Sequence, residues 1–299
     1  MKQTQTEALL IKGVGGLYTV EAAGVLFHCR ARGIFRKEKR PPLPGDRVLV
    51  QLNGQGDHTI EEILPRKNEL LRPSAANIDR MFLVVSTTQP APNLLLLDKM
   101  TAIAHIKGIQ PIFIITKSDL SPPDALADIY TRAGFPVICT NPQVSDAVCA
   151  QISALLAGKI SVFTGNTGVG KSTLLNRLMP KLDLDTGEIS QKLGRGRHTT
   201  RHVELFPAAG GYVADTPGFS ALELNETEPV LKEDLADAFA DFAPYLGRCR
   251  FPDCAHVKDK GCAILGAVKK GEIAPSRHNS YCAMYESAKD LKEWELRKR

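Results

Sequence analysis

Residues 8–68 alternate apolar and polar positions in short runs, the pattern of strands with one buried face. Turn-forming residues at 41–46 and 53–57 interrupt these runs. About five short strands in roughly 60 residues make a small β-barrel, and both an OB-fold and a generic β-rich cap fit that pattern. The predicted strands are Leu17–Val20, Val25–Cys29, Val48–Leu52 and Thr59–Leu64.

Beyond a polar joint at residues 68–77, continuous apolar runs replace the alternation. Such runs predict strands buried on both faces, as in a parallel sheet, and the spacing over 94–106 predicts a helix between the first two. The alternation predicts a doubly wound α/β domain with its ligand at the carboxyl ends of the strands. The predicted strands are Met81–Ser86, Pro111–Ile115, Pro136–Cys139, Ile160–Phe163 and Tyr212–Ala214.

The last part of the chain is helical and carries cysteines. Leu231–Tyr245 and Ser276–Trp294 each show an apolar stripe opposite charged residues, which predicts two amphipathic helices. A cysteine cluster lies between them, so we expect a third, small helical domain around a metal. The predicted domains are residues 1–68, 69–225 and 226–299.

A glycine-rich phosphate loop follows the strand predicted at 160–163 and precedes a helical pattern. Glycines allow backbone N–H groups to converge on phosphate oxygens, Lys171 is expected to reach the β- and γ-phosphates, and Ser172 is expected to hold Mg²⁺. The pattern predicts a nucleoside triphosphate site. Its residues are Gly165, Asn166, Thr167, Gly168, Val169, Gly170, Lys171, Ser172 and Thr173.

Asp215 ends a later apolar strand and begins the turn Asp215-Thr216-Pro217-Gly218. Downstream of a phosphate loop, we expect Asp215 to be the carboxylate on the Mg²⁺ side and the N–H of Gly218 to reach the γ-phosphate.

The guanine motif, residues Thr116, Lys117, Ser118 and Asp119, follows the apolar strand predicted at 111–115. The carboxylate of Asp119 can accept hydrogen bonds from the ring N1–H and the exocyclic amine of guanine, a pair that adenine does not offer. The motif therefore predicts GTP as the nucleotide. It precedes the phosphate loop, whereas GTPases usually have it afterwards, so the order implies a circularly permuted domain.

Cys249, Cys254, His256 and Cys262 form a C-x4-C-x-H-x5-C run. Three thiolates and an imidazole complete the tetrahedral set of a structural zinc site. The alternative is a group of buried thiols beside an unrelated histidine. The remaining cysteines are expected to be packing residues.

Composition is that of a globular protein, with 43% hydrophobic and 24% charged residues. No apolar run has the length of a membrane span and residues 1–7 do not lead into a signal-peptide pattern, so a cytoplasmic protein with no membrane partner is expected. The net charge is +5, and residues 30–40 contain six basic residues against one acidic. That stripe suits nucleic acid or a solvated loop.

Taken together, the guanine motif, the phosphate loop, Gly196-Arg197-His198-Thr199-Thr200, the Asp215 turn and the cysteine run resemble the bacterial RsgA (YjeQ/YloQ) family. The resemblance covers essentially the whole chain. It implies an OB domain, a circularly permuted GTPase domain and a zinc domain that act in late maturation of the 30S ribosomal subunit and its 16S rRNA. It also implies that the subunit stimulates GTP hydrolysis and binds the GTP form well.

Residues 192–202 are basic and occupy the position of switch I, where Thr199 or Thr200 is expected to complete Mg²⁺ coordination. Phe219 stands where many GTPases have a water-orienting glutamine. The resemblance assigns that role to His198, with Arg197 as a second candidate. The loop at residues 139–142 departs from the family's Ser-Ala-like base contact.

Two other functions fit part of the pattern: a P-loop ATPase or small-molecule kinase, and a non-catalytic RNA-binding module gated by nucleotide. A monomer is the expected oligomeric state.

Overall fold

The structure, a computed structural model, describes residues 5–37, 40–53, 58–180, 203–215 and 228–289. The chain divides into two units, each built from separate segments. The first unit holds Met1–Arg80, Cys149–Phe163 and Leu175–Phe219, and the second holds Met81–Val148, Thr164–Leu174 and Ser220–Arg299.

The N-terminal strands of the first unit close into a five-stranded barrel. Strand β1 pairs with β2 and β4, β2 with β3, β3 with β5 in parallel, and β5 with β4. Alternate residues point inward and form the barrel core, which includes Leu10, Val20 and Val50. The barrel prediction is confirmed, although β1 was not among the strands named from the sequence. The bounds are β1 Gln5–Val14, β2 Leu17–Ala22, β3 Val25–Ala31, a short helix α1 Ile34–Lys37, β4 Arg47–Gln51 and β5 His58–Ile63.

The polar joint contains a small hairpin of β6 (Glu69–Leu70) and β7 (Ala75–Ala76). Two asparagine side chains bind backbone groups in this joint. Asn68 Nδ2 donates to Ile78 O at 2.8 Å, and Asn68 Oδ1 accepts the N–H of Ile78 at 2.9 Å. Asn77 Nδ2 donates to Gly45 O at 2.9 Å. Asn68 and Asn77 therefore have a structural role in this joint.

The first unit also contains β12 (Glu204–Ala208) and β13 (Gly211–Asp215), which form an antiparallel hairpin. Strand β11 (Ile160–Thr164) pairs with β13 in parallel. At the other edge, Lys12 of β1 lies opposite Glu204 of β12, and Lys12 Nζ forms an ion pair with Glu204 Oε1 at 2.8 Å. The barrel and these strands therefore belong to one hydrogen-bonded sheet.

The second unit contains neighbouring strands of the predicted α/β sheet. Strand β10 pairs with β9 in parallel, and β9 lies beside β8. Helix α2 has the predicted bounds, and Asn93 fixes its start by accepting the N–H of Leu96 at 3.1 Å. The bounds are β8 Arg80–Ser86, α2 Leu94–Ile106, β9 Gln110–Thr116, α3 Asp124–Arg132 and β10 Val137–Cys139. Helices α4 (Asp146–Leu156) and α5 (Lys171–Leu178) each begin in the second unit and end in the first.

The C-terminal part of the second unit consists of short helices: α6 Lys232–Leu235, a 3-10 helix Ala240–Tyr245, α7 Ala263–Lys270 and α8 Pro275–Ala288. The single helix predicted over 231–245 is wrong. Phe239 has an extended backbone that separates α6 from the 3-10 helix, and its ring packs edge-on against Tyr281 with 5.5 Å between centroids. Packing of the aromatic side chains into this core outweighs the helical spacing. The second predicted helix is confirmed as far as Ala288, and residues 290–294 lie outside the described residues.

None of the helices in the described part of the chain combines the length and hydropathy of a membrane span.

Candidate nucleotide and metal sites

The phosphate loop connects β11 to α5 through backbone conformations that favour glycine. Gly165, Gly168 and Gly170 have φ values of +156°, +81° and +95°. A Cβ on Gly165 would lie 2.2 Å from the carbonyl oxygen of Val84 at the end of β8. The loop therefore lies against β8 so closely that residue 165 has to be glycine.

Some residues of the phosphate loop are buried and others are exposed to solvent. Val169 is buried, whereas Thr167 and Gly168 are exposed. Lys171 Nζ donates to Gly165 O at 3.1 Å, so this side chain folds back across the loop. Ser172 and Thr173 are half-buried in the first turn of α5, where N–H groups have no partner within the helix. These donors and the lysine make an anion-binding site of the type that holds phosphates.

The guanine motif lies beside the phosphate loop. Thr116 is the last residue of β9 and is buried; its hydroxyl donates to Val169 O at 2.5 Å, and Val85 O is 3.2 Å away. This bond joins residues that are 53 positions apart in the chain. The structure thus brings together the two elements whose unusual order suggested a permuted domain.

Residues after Thr116 are held by the neighbouring strand ends. Lys117 has a left-handed backbone with φ +58°, its carbonyl accepts from Thr87 Oγ1 at 2.8 Å, and its Nζ donates to Gln89 O. The N–H and hydroxyl of Ser118 both donate to Thr140 O, at 3.2 and 3.0 Å. Asp119 is exposed. The loop at 139–142 therefore adjoins the guanine motif, although its sequence departs from the family's usual contact.

Sequence reasoning missed the contribution of the end of β8. Thr87 holds the backbone of Lys117, and Val84 sets the space available to Gly165. The polar run Ser86-Thr87-Thr88 at the end of a buried strand was the available signal, because strand ends at one edge of a parallel sheet converge.

The remaining predicted site residues fall on other parts of the chain. Asp215 is the last residue of β13, in the first unit. Gly218, His198, Thr199, Thr200 and Phe219 lie outside the described residues.

The cysteine run is brought together as predicted. One ligand atom from each of Cys249, Cys254, His256 and Cys262 lies within 4.8 Å of the others. Cys249 Sγ is 3.9 Å from Cys262 Sγ, and His256 Nδ1 is 3.4 and 3.5 Å from these two sulfurs. A tetrahedron with Zn–S bonds of about 2.3 Å has edges of about 3.8 Å, so the spacing fits a metal of zinc's size.

Burial shifts the pKa of three of these groups when no cation is bound. It raises the pKa of the Cys254 thiol to about 12 and raises that of Cys262, whereas it lowers the pKa of His256. The imidazole is therefore neutral, the form that binds metal. The N–H groups of Ala263 and Leu265 point at the sulfurs of Cys249 and Cys262, at 3.3 and 3.5 Å, where they would stabilise thiolates.

Family models match most of the chain: the RsgA N-terminal domain at residues 7–60 and the RsgA GTPase at residues 63–225. The chain belongs to the RsgA GTPase family. A small ribosomal subunit biogenesis GTPase RsgA of Alkaliphilus metalliredigens is 43% identical over 281 residues, covering 92% of this chain and 95% of that protein. The protein of the same name from Geobacillus kaustophilus is 43% identical over 292 residues, covering 96% and 98%.

Solved structures extend the comparison to the fold. YloQ, described as a circularly permuted GTPase, matches with a TM-score of 0.80 and 35% identity. The match covers 97% of this RsgA-family chain and 96% of the YloQ chain. YjeQ from Thermotoga maritima has a TM-score of 0.82 and 32% identity, covering 97% and 100%. The prediction of a circularly permuted GTPase is confirmed.

Helix α8 carries metal-site contacts that the sequence did not reveal in this RsgA-family chain. His278 Nε2 donates to the carbonyl of His256 at 2.8 Å, and Tyr281 OH donates to that of Ala255 at 2.9 Å. His256 itself has a left-handed backbone with φ +60°. These two bonds hold the metal loop, residues 249–262, in the path that points the imidazole at the thiols.

Proposed function

We propose that the chain hydrolyses GTP to GDP and phosphate in association with the small ribosomal subunit, whose late maturation it assists. The contact between Thr116 Oγ1 and Val169 O carries the nucleotide part of this proposal, because it joins a guanine-reading motif to a phosphate loop. The names of the relatives support the ribosomal part.

The nucleotide is held by its two ends. Backbone N–H groups of residues 165–170 and the first turn of α5 bind the phosphates, and Lys171 turns from Gly165 O to the β- and γ-phosphates. Thr116, Lys117, Ser118 and Asp119 hold guanine. The exposed Asp119 carboxylate accepts both N–H groups of the base, and Ser118 orders the loop at 140 through its two bonds to Thr140 O.

Hydrolysis requires a water in line with the bond between the β- and γ-phosphates. Phe219 cannot hold that water, and we assign the role to His198, as the resemblance to the RsgA family implies. Gly218 would donate its N–H to the γ-phosphate. Ser172, Asp215 and either Thr199 or Thr200 would hold Mg²⁺. When bound, the ion neutralises charge on the β- and γ-phosphate oxygens.

The metal loop would hold one structural Zn²⁺. The ligand set is complete, with no position left for substrate, and the observed spacing supports a tetrahedral ion. The ion would fix the fold of the C-terminal domain, residues 226–299.

The barrel, within residues 1–68, would contact 16S rRNA. Arg30, Arg32 and Arg40 are exposed on it, and Arg32 Nη1 pairs with Glu61 at 3.0 Å. Their charge supports a phosphate-rich partner. Residues 69–225 form the GTPase domain in this proposal, and we infer a cytoplasmic monomer.

The test compares Asp119→Asn with wild type for GTP and xanthosine triphosphate turnover, with and without small ribosomal subunits. We expect preference to shift to the xanthine nucleotide, whose C2 oxygen accepts where guanine's amine donates. Asp124→Asn, at an exposed carboxylate on the first residue of α3, is the matched control. Unchanged GTP preference in Asp119→Asn, or turnover in wild type that subunits do not stimulate, would refute the proposal.

A further inference from the structure

Arg277 in α8 is fully buried and bonded on three sides. Nη1 donates to Asp98 Oδ1 at 2.8 Å and to Thr101 Oγ1 at 3.2 Å, while Nη2 and Nε donate to the two carboxylate oxygens of Asp241 at 2.7 and 3.2 Å. Its guanidinium stacks over Phe239 at 4.6 Å. A buried guanidinium with this many partners tolerates little displacement, because each lost bond leaves a buried polar group unpaired.

The partner Asp98 is on helix α2 of the nucleotide-binding part. Burial raises the pKa of Asp98, and Arg277 and Ser280, both on α8, oppose that rise by interacting with the carboxylate. Burial alone would lower the pKa of Arg277, whereas the bonds to Asp241 and Asp98 raise it. Two groups of α8 thus stabilise the charge on Asp98 and hold α2 against α8.

A different face of α2 lies behind the phosphate loop. Leu97 and Met100 directly precede Asp98 and Thr101, the two residues of α2 that bond Arg277. They line a small cavity together with Gly165, Asn166 and Val169. Asn93, the residue that caps α2, lines the same cavity. Helix α2 therefore lies between Arg277 and the loop that binds phosphate.

On its other side, Arg277 is connected through α8 to the metal loop. The next residue, His278, bonds the carbonyl of the metal ligand His256, and Tyr281, one turn later, bonds Ala255 O. Arg277 and His278 share one helical turn, so a shift of the metal loop that moves His278 also moves the guanidinium.

We propose that α8 couples the metal loop to the phosphate loop through Arg277, acting as a positioning residue, so that metal occupancy sets the affinity for guanine nucleotide. The inference rests on the proposed function, because it takes residues 165–172 as the nucleotide site. Coupling between two sites is reciprocal, so bound nucleotide must strengthen metal binding by the same factor.

The test uses the full chain with zinc loaded or removed by a zinc chelator, with excess Mg²⁺. Affinity for a fluorescent GDP analogue is measured in both states, and zinc affinity is measured by chelator competition with and without saturating GDP. We expect metal removal to weaken GDP binding by at least about fivefold, and GDP to tighten zinc binding by an equal factor.

Arg277→Lys and Asp98→Asn separate coupling from folding. Both variants are studied with zinc bound, and their zinc content and circular dichroism spectra are recorded. We expect GDP affinity to fall to near the metal-free level while zinc stays bound, and GDP to lose its effect on zinc affinity. Arg132→Lys is the matched control, since Arg132 Nη1 bonds Gly271 O at 2.7 Å without contacting α2 through any bond that the structure describes.

Equal GDP affinity in the loaded and metal-free wild type, or full metal dependence in a folded Arg277→Lys or Asp98→Asn, would overturn the coupling alone. A wild type that binds no guanine nucleotide in either state would overturn the proposed function, and the coupling with it.

Discussion

Replacing Thr116 with valine would remove the hydroxyl that joins the guanine motif to the phosphate loop while keeping the size of the side chain. Thr116 and Val169 are 5% and 2% exposed, so water cannot replace the lost donor at the Val169 carbonyl. Leaving a buried acceptor unpaired costs about 1–3 kcal/mol.

That cost would fall on the conformation of the phosphate loop that binds nucleotide. We expect GDP and GTP affinity to fall by about 5- to 150-fold, with any part of the penalty that does not appear in binding appearing as a lower free energy of unfolding. Calorimetric titration with GDP and urea unfolding of the same preparations measure the two parts.

Thr116→Ser keeps the donor and should stay near wild type in both measurements. Thr19→Val, at another buried threonine whose hydroxyl lies 3.3 Å from His28 Nδ1 in the barrel, should leave GDP affinity unchanged. If Thr116→Val bound GDP as tightly as wild type and unfolded at the same urea concentration, the contact would contribute nothing and the reasoning would be refuted.

Three further changes test other parts of the site. Gly165→Ala would place a Cβ 2.2 Å from Val84 O, so we expect GDP binding to be lost and the free energy of unfolding to fall by about 1–3 kcal/mol. Normal GDP binding in calorimetric titration would contradict the tight approach. Gly168→Ala is the milder control, because a Cβ there would lie 3.8 Å from the nearest atom. His198→Ala should keep GTP affinity but lose most subunit-stimulated phosphate release, whereas normal stimulated release would exclude His198. Cys254→Ser should lower zinc content and the melting temperature of the C-terminal region, and Cys139→Ser, at an exposed cysteine outside the ligand set, should change neither. Equal zinc content in both variants would exclude Cys254 as a ligand.

Local pattern was enough to predict most strands of the sheet and the nucleotide motifs. The apolar runs at 81–86 and 160–163 lie within β8 and β11, and the helix at 94–106 has its predicted bounds because an asparagine cap precedes it. The guanine motif and the phosphate loop could be placed together because each ends a predicted strand.

Non-local packing decided what the sequence could not show. Strand β12 was not predicted from the sequence, and its second neighbour in the sheet, β1, lies far away in sequence. Arg277 and Asp98 are 179 positions apart. A polar residue on an amphipathic helix is expected to face water, so neither Arg277 nor His278 gave any sign that it would be buried against another element.

The pairing of β1 with β12 has a mechanical consequence for the barrel. A domain joined to its neighbour only by a chain segment can turn freely, but this barrel shares backbone hydrogen bonds and the Lys12–Glu204 ion pair with a hairpin whose other strand ends at Asp215. A load applied to the barrel by a bound partner would therefore be transmitted along the sheet to β13 instead of being absorbed by a hinge.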